Sequence, residues 1–466
     1  MRLRDLVRTD VDGEVTGITA DSRAVRPGMI FAALRGTNVD GAAFVPDALA
    51  AGALAILCAP DAAVDAPIVV RDADPRRRLA LMAAALAGAQ PAVTVAVTGT
   101  AGKTSVAEFT RQISAAAGHT AVSVGTLGIS GAVTVPGGLT TPDPVALHAR
   151  LADLAGAGVT HLAMEASSHG IAQRRLDGVR LTAAAFTNIG RDHLDYHPTP
   201  EAYLAAKLRL FETLLPPGAP TVVDPESPGG EAVLAVAGTA FTVGRGGRDL
   251  HLSRVRPMPG GARLTLRGAG EHTVELPLIG AFQADNAVLA AGLAMAAGVA
   301  EDVAVGALAS LKGAPGRLER VGDKAGAPVF VDYAHKPDAV EAALAAVRPA
   351  VAGPLIVVIG AGGDRDPGKR PLMGAASAKY ADTVIVTDDN PRSENPAAIR
   401  KAVMEGAPDA IEIGDRREAI AHAIARLAPN GALVIAGKGH EEGQTAGGVT
   451  TPFNDRTVAM EVLAAL

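Results

Sequence analysis

The 466-residue chain has one cysteine, Cys58. A lone cysteine cannot close an internal disulfide, and one sulfur is no metal framework. Its place in the apolar run ALAILCAP marks it as a buried core thiol. Excess positive charge is also missing: the formal net charge is −6, which argues against a nucleic-acid binder working through phosphate contacts. No apolar run reaches the roughly 18 residues of a membrane span, so no membrane insertion is expected. The start, MRLRDLVRTDVDGEV, has charges but no continuous apolar region behind them, so no signal peptide is visible. There is no fixed-period repeat, no low-complexity tract, and no credible Ser-His-Asp or Cys-His set. The expectation is a soluble, cytoplasmic protein.

What is present reads as globular: 48% hydrophobic and 20% charged residues, at a length that implies about two to four domains. Residues 1–90 mix short β-like runs with turn signals, a small α/β domain. Pro91 punctuates, and residues 91–313 alternate strand and helix patterns. VTVAV suits a strand buried on both faces of a parallel sheet. Val106, Phe109, Ile113 and Ala117 form one helical stripe closed by Gly118. Between Asp249 and Glu275 the texture becomes β, a few antiparallel strands. Lys312–Val321, rich in glycine, proline and charge, reads as a hinge. Residues 314–466 then show four strand-like runs, PVFVDYA, PLIVVIGAG, DTVIVTDDN and GALVIAGKG, a second doubly wound unit. The fold class is α/β in three domains.

The stretch VTVAVTGTAGKTS lacks the glycine of a common phosphate loop five places before its Gly-Lys-Thr; Val97 stands there, and the first glycine is Gly99. The context of strand, glycine turn and helix is nevertheless the one that aims backbone N–H groups at a phosphate. Gly99 and Gly102 permit close approach, Lys103 reaches terminal phosphates, and Thr104 is placed to hold Mg²⁺.

Glu165 and His193 follow neighbouring strand signals, at the sheet edge where open α/β folds place ligands. A carboxylate and an imidazole there suit Mg²⁺ coordination or its support. Lys207 falls on the apolar stripe of Tyr203, Leu210, Phe211 and Leu214. It either snorkels to the rim or is buried with a lowered pKa and is chemically reactive.

In order, TGTAGKTS, LTTPDP, MEASSHGIAQRRL, TNIGRDHLDYH, AYLAAKLRLF, PGRLERV, DYAHKPD, GGDRDPGKRPLMG, DNPRSENP and AGKGHE resemble the motifs of the Mur ligases over essentially the whole chain. The short loop spacing is the family's own. The resemblance implies a small N-terminal UDP-binding domain, a central P-loop-type ATPase domain and a C-terminal Rossmann-like, amino-acid-binding domain, with substrates meeting between domains. It implies an ATP-dependent amide ligase acting in peptidoglycan precursor synthesis. ATP phosphorylates the D-Glu side-chain carboxylate of UDP-N-acetylmuramoyl-L-alanyl-D-glutamate, and an amine of meso-diaminopimelate attacks the acyl phosphate.

Residue by residue, the resemblance assigns Gly99, Thr100, Ala101, Gly102, Lys103, Thr104 and Ser105 to the ATP phosphates, with Asn286, Arg317 and His335 as further ATP contacts. Thr104, Glu165, His193 and Lys207, the last as a carbamate, are the implied magnesium set, and Lys103, Lys207, Glu165 and His193 the catalytic set. Ser22, Thr140, Thr141, Ser167, Gln173 and Arg175 are implied for the UDP-sugar dipeptide. Arg365, Asp389, Asn390, Pro391, Arg392, Gly437 and Glu441 are implied for diaminopimelate. Ala101 replaces the usual asparagine, and Lys336 the usual threonine, which touches fine ATP contacts only.

The family's DNPR form accompanies meso-diaminopimelate, whose distal carboxylate a guanidinium grips in a bidentate pair; Glu441 suits the distal ammonium. The alternatives are the same ligation with L-lysine, a folylpolyglutamate-synthetase-like ligase or one adding D-Ala-D-Ala, an ATPase switch, and a dehydrogenase read from GAGGDR, whose third glycine is missing at Arg365.

Overall fold

The computed structural model describes residues 1–466 apart from 8–10, 12, 37–38, 191, 194–195 and 259. Arg191, Leu194 and Asp195 of TNIGRDHLDYH thus lie outside the described residues. The chain divides into two compact units, Met1–Asp249 with Leu289–Ala304, and Leu250–Val288 with Val305–Leu466.

The first unit opens with a parallel sheet in the order β1 (Gly17–Thr19), β2 (Met29–Ala32), β3 (Ala55–Cys58), β4 (Val69–Arg71). Cys58 is fully buried in β3, and burial raises its thiol pKa. A larger sheet is built from β5 (Val93–Thr98), β6 (Ala121–Gly125), β7 (Gly128–Gly131), β8 (Val135–Pro136), β9 (His161–Glu165), β10 (Ala183–Phe186), β11 (Pro220–Val223) and β12 (Thr239–Gly244). Its order is β12-β11-β10-β5-β9-β6-β7-β8. β5 lies between parallel partners β10 and β9, and Val95, Ala96 and Val97 are all buried. That double burial is why VTVAV is continuously apolar rather than alternating.

The helix Lys103–Ala116 comes directly after β5. Val106, Phe109 and Ile113 point inward at 0% exposure, and Gly118 follows the C-cap Ala117 with φ +87°, the left-handed position that glycine fills without strain.

The second unit contains an antiparallel meander, β13 (Leu250–Met258), β14 (Gly261–Arg267) and β15 (Glu271–Leu276). It also contains a sheet in the order β16-β17-β21-β18-β19-β20, formed by β16 (Glu319–Lys324), β17 (Ala327–Asp332), β18 (Leu355–Ile359), β19 (Thr383–Val386), β20 (Ile411–Glu412) and β21 (Ala432–Ala436). All pairs are parallel except β16 with β17. Alternate residues serve two cores: Phe330, Val357 and Val434 join one, and Val331, Val358 and Ile435 the other, as period-two geometry requires. A hairpin, β22 (Gly443–Ala446) and β23 (Val449–Pro452), completes it.

The runs PVFVDYA, PLIVVIGAG, DTVIVTDDN and GALVIAGKG form β17, β18, β19 and β21. The compact units do not follow the boundaries read at 90 and 313. The helix Pro75–Ala87 packs on the helix Pro144–Gly156, and Arg174 pairs with Asp74 at 2.8 Å, so the first 90 residues share a unit with the larger sheet. Val255, Pro257 and Ile279 share a cavity of about 320 Å³ with Ala342, Ala346 and Pro349, which draws the meander into the second unit. Among the described residues no helix is long and apolar enough to cross a membrane.

Candidate active site

The carboxyl ends of β5, β9 and β10 carry the first group of expected residues. Gly99 leaves β5 at φ +146°, and a Cβ there would meet Thr187 Oγ1 at 1.8 Å, so only glycine passes. The loop is held from β10's end: Thr100 N donates to Asn188 O at 2.8 Å and Ala101 N to Asn188 Oδ1 at 3.1 Å, while Thr187 Oγ1 donates to Ala101 O at 2.6 Å. Gly102, at φ +86°, caps the helix that starts at Lys103.

Two lysines converge on this loop. Lys103 Nζ donates to Gly99 O and Thr100 O, each at 3.0 Å, and Lys207 Nζ donates to Gly99 O at 2.7 Å. Lys207 is 1% exposed and lies 4.3 Å from the Tyr203 ring centroid. Burial, then the charge of Lys103, pushes its pKa down to about 6, with Asp192 pulling the other way. Near neutral pH the amine is therefore mostly uncharged and nucleophilic; it is buried, not snorkelling.

Glu165, at the end of β9, is 3% exposed. It accepts from Thr104 Oγ1 at 3.0 Å and from Thr126 N at 2.8 Å. A Cβ on Gly125 would stand 2.1 Å from its Oε1. His193 adopts φ +53°; its ring lies 4.8 Å from that of His169 and 6.1 Å from that of Tyr203. Tyr203 is thus a common neighbour of His193 and Lys207, and its hydroxyl lies 3.2 Å from Thr100 Oγ1. Burial raises the Tyr203 pKa to about 12. No group of three or more His, Cys, Asp or Glu side chains poised for a metal occurs among the described residues.

The residues implied for the sugar dipeptide form one network beside Glu165, Ser22 excepted. Thr141 Oγ1 donates to Glu165 O at 3.0 Å and lies 3.0 Å from Ser167 Oγ. Thr140 Oγ1 is 3.0 Å from Thr126 Oγ1. Arg175 donates to Thr141 O at 2.7 Å and to Gln173 Oε1 at 2.7 Å. Ser22 sits on another sheet's edge, in the 3₁₀ turn Ser22–Ala24 after β1.

In the second unit the carboxyl ends of β17, β18, β19 and β21 carry His335 and the residues implied for diaminopimelate, at the edge where such sheets bind ligands. Asp389 and Asn390 are buried. Asn390 Nδ2 donates to Glu441 Oε2 at 2.7 Å and to Asp389 Oδ1 at 3.2 Å. Arg392 Nη1 donates to Gly363 O at 2.7 Å, and Gly363 N donates to Asn390 O at 3.0 Å. A Cβ on Gly363 would meet Pro391 O at 1.9 Å, so the glycines of GAGGDR serve contact with DNPR. Gly437, at φ +117°, has no room for a Cβ beside Asp389 Oδ2, 2.4 Å away. Arg365 lies exposed on the same loop as Gly363.

Asn286 is buried in the helix Ala281–Ala296. Arg317 lies over the Tyr333 ring at 4.8 Å. His335 Nδ1 is 2.7 Å from Tyr333 O, and burial lowers its pKa.

Residues 97–294 match the Mur ligase middle domain, 316–439 the Mur ligase glutamate ligase domain, and 14–92 the Mur ligase family catalytic domain. The chain belongs to the Mur ligase family. UDP-N-acetylmuramoyl-L-alanyl-D-glutamate--2,6-diaminopimelate ligase of Agrobacterium fabrum is 53% identical over 476 residues, spanning 100% of this chain and 96% of that protein. The protein of that name from Brucella melitensis is 55% identical over 461 residues, 97% and 94% of the two chains. A solved structure of a ligase with the same name matches with a TM-score of 0.76 at 32% identity, covering 100% and 99%.

Several residues of this candidate site were not singled out from the sequence. Thr187 and Asn188 brace the glycine loop; they open the motif TNIGRDHLDYH at a strand's carboxyl end, but nothing in the sequence marked them as its support. Tyr203 was visible only as a member of an apolar stripe. Gln444 and Thr445 hold the DNPR turn from a hairpin whose polar sequence gave no strand signal, and Lys438, just after β21, lies 3.8 Å from Asp389 Oδ1.

Proposed function

We propose that the chain is an ATP-dependent ligase that joins meso-diaminopimelate to the D-Glu side-chain carboxylate of UDP-N-acetylmuramoyl-L-alanyl-D-glutamate. The cytoplasm, where ATP and nucleotide sugars are made, is its proposed location, and a monomer its proposed state. The observation that carries the reading is the cluster of Asp389, Asn390, Arg392 and Glu441. It offers a guanidinium and a carboxylate, linked through Gly363 and Asn390, to an amino acid with a second charged end.

A carboxylate cannot acylate an amine until it gains a leaving group. The γ-phosphoryl group of ATP passes to the D-Glu carboxylate, giving ADP and an acyl phosphate. The amine of diaminopimelate adds to the carbonyl, and the tetrahedral adduct expels phosphate as the amide forms. Such chemistry rests on positioning and charge neutralisation. Gly99–Ser105 would cradle the phosphates, with Lys103 leaving its carbonyl partners for the γ-phosphate. Asn286, Arg317 and His335 are the proposed nucleotide contacts of the second unit. Ser22, Thr140, Thr141, Ser167, Gln173 and Arg175 are proposed for the sugar dipeptide.

Magnesium is the proposed ion, its oxygen set completed by a carbamate on Lys207 beside the Thr104 hydroxyl and the Glu165 carboxylate. Lys207 is a mostly neutral amine in a closed apolar setting, the state that adds CO₂ to give a carbamate anion and a proton. With Thr104, Glu165 and His193 that carbamate would hold Mg²⁺, which when bound neutralises phosphate charge. The residues' own part is clear from their contacts: Thr104 and the Thr126 amide fix the Glu165 carboxylate, and Gly99 O fixes the Lys207 amine. We propose domains of residues 1–90, 91–313 and 314–466 for sugar nucleotide, ATP and amino acid.

The test is ATP-dependent product formation with meso-diaminopimelate, L-lysine and L-ornithine offered in parallel. Diaminopimelate should be strongly preferred. Preference for L-lysine overturns the specificity, and phosphate release indifferent to the sugar dipeptide overturns the ligase reading.

A further inference from the structure

Lys438 is wholly buried, at 0% exposure, and no step of the proposed reaction uses it. Buried lysines are rare and are held by partners. Its Nζ donates to Gly443 O at 2.5 Å and to Glu441 Oε2 at 3.3 Å, and lies 3.8 Å from Asp389 Oδ1. It follows Gly437 directly and stands one helical turn's spacing before Glu441, with expected amino-acid contacts on either side.

The geometry around Glu441 is one-sided. Lys438 Nζ and Asn390 Nδ2 both donate to Oε2, and the carboxylate is partly open, with its side chain 33% exposed. Oε1 takes neither of these bonds, which leaves it the oxygen available to an incoming ammonium. Asp389, 8% exposed, has no such freedom. Two carboxylates bonded to one asparagine amide repel each other unless a cation stands with them. Without Lys438 the strain is relieved by the group that can move, and Glu441 swings to water.

The same amine also ties down the hairpin. Gly443 opens β22, and the next two residues grip the DNPR turn: Asn390 N donates to Gln444 Oε1 at 3.1 Å, Thr445 N to Asn390 Oδ1 at 2.9 Å, and Arg392 N to Thr445 O at 2.9 Å. One buried cation thus links both arms of the amino-acid site.

We infer that Lys438 is a positioning residue for the incoming diamino acid, fixing Glu441 through Oε2 so that Oε1 receives the substrate's distal ammonium. This rests on the reading of Glu441 as a diaminopimelate contact.

The test uses the full chain with ATP, sugar dipeptide and meso-diaminopimelate, and compares Lys438→Met, Lys438→Arg, Glu441→Gln and the Met/Gln double variant. Losing a hydrogen bond to a charged group predicts a roughly 10- to 100-fold rise in KM for diaminopimelate in Lys438→Met. KM for ATP and for the sugar dipeptide, and kcat, should stay within about threefold, because the loss is confined to one ligand's binding. Lys438→Arg keeps a cation and should recover part of the loss. The double variant should bind diaminopimelate no worse than Glu441→Gln alone, since both changes act through one contact. Penalties that multiply, or KM values that rise together for all three substrates, overturn the inference and leave a core lysine of structural value only. Should the Met variant fail to fold, Lys438→Gln, which also lacks the cation, decides: a KM shift for diaminopimelate alone supports the inference, and a uniform or absent shift overturns it. If Glu441→Gln itself leaves that KM unmoved, the site reading fails and takes this inference with it; if only the lysine variants are silent, the site reading stands alone.

Discussion

The side-chain amines of Lys103 and Lys207 share one acceptor, the carbonyl oxygen of Gly99, at 3.0 and 2.7 Å. Burial first, and then the charge of Lys103 beside it, hold the Lys207 amine mostly neutral. Replacing Lys207 by Ala should abolish ligation, and short carboxylic acids should restore part of it by supplying the missing anion. Steady-state rates with and without added acetate check this; an unimpaired variant refutes the carbamate role.

Lys207→Met separates chemistry from stability. The folded-state pKa of about 6 lies below the ordinary 10.5, so between those values the unfolded chain binds the extra proton and wild-type stability rises with pH. The Met variant lacks this term. In CO₂-depleted buffer it should be inactive yet more stable than wild type at pH 7, by about 1–4 kcal/mol, with the gap closing toward pH 10. Denaturant midpoints across pH read it directly.

Arg392→Met should lower kcat/KM for meso-diaminopimelate by ~10³-fold or more while leaving L-lysine turnover nearly as low as before. Parallel progress curves with the two amino acids decide it, and an equal loss on both would place Arg392 outside the specificity contact.

Gly125→Ala should strike Glu165 without touching a loop residue, because its Cβ would stand 2.1 Å from Oε1. A displaced carboxylate predicts a kcat loss of roughly 10²-fold with modest change in melting temperature. Titrating Mg²⁺ should show a raised requirement in the variant.

Asp332 and His440 carry opposed pH terms in the second unit. Burial raises Asp332 to about 6, so its contribution is present below about pH 3.8 and is lost as pH rises to 6. Burial, and then Arg317, lower His440 to about 4, so its contribution is present above about pH 6.5 and is lost as pH falls to 4. The two nearly offset in wild type. Asp332→Asn should make stability rise more steeply with pH between 4 and 6.5 than in wild type, and His440→Asn should make it rise less or fall. Urea midpoints at half-unit pH steps measure both slopes.

Legibility in the sequence tracked burial. β5, β18 and β21 are flanked on both sides and covered on both faces, so continuous apolar runs announced them. β16 (ERVGDK) and β22 (GQTA) are partly or fully solvated, and backbone pairing rather than apolar pattern makes them strands. Lys103, Glu165 and Lys207 were legible because a glycine turn, a strand end and a misplaced charge each break a local rule. Lys438 broke the same rule as Lys207, but a short strand followed by glycine and polar residues hides burial that only the fold supplies. Ser22 was named with Thr141 and Ser167 by resemblance alone; one sheet's register could not have joined them.

Asn390 and Arg392 both sit at positive φ, 45° and 52°, and Arg392 is stitched at both ends, its N–H to Thr445 O and its C=O to Gly447 N. The Arg392 guanidinium proposed for the substrate therefore hangs from a backbone that the neighbouring hairpin holds in an uncommon shape. If Arg392 selects the amino acid as proposed, retuning that choice would have to redesign the seam along with the side chain, spreading it over two segments some fifty positions apart rather than one letter.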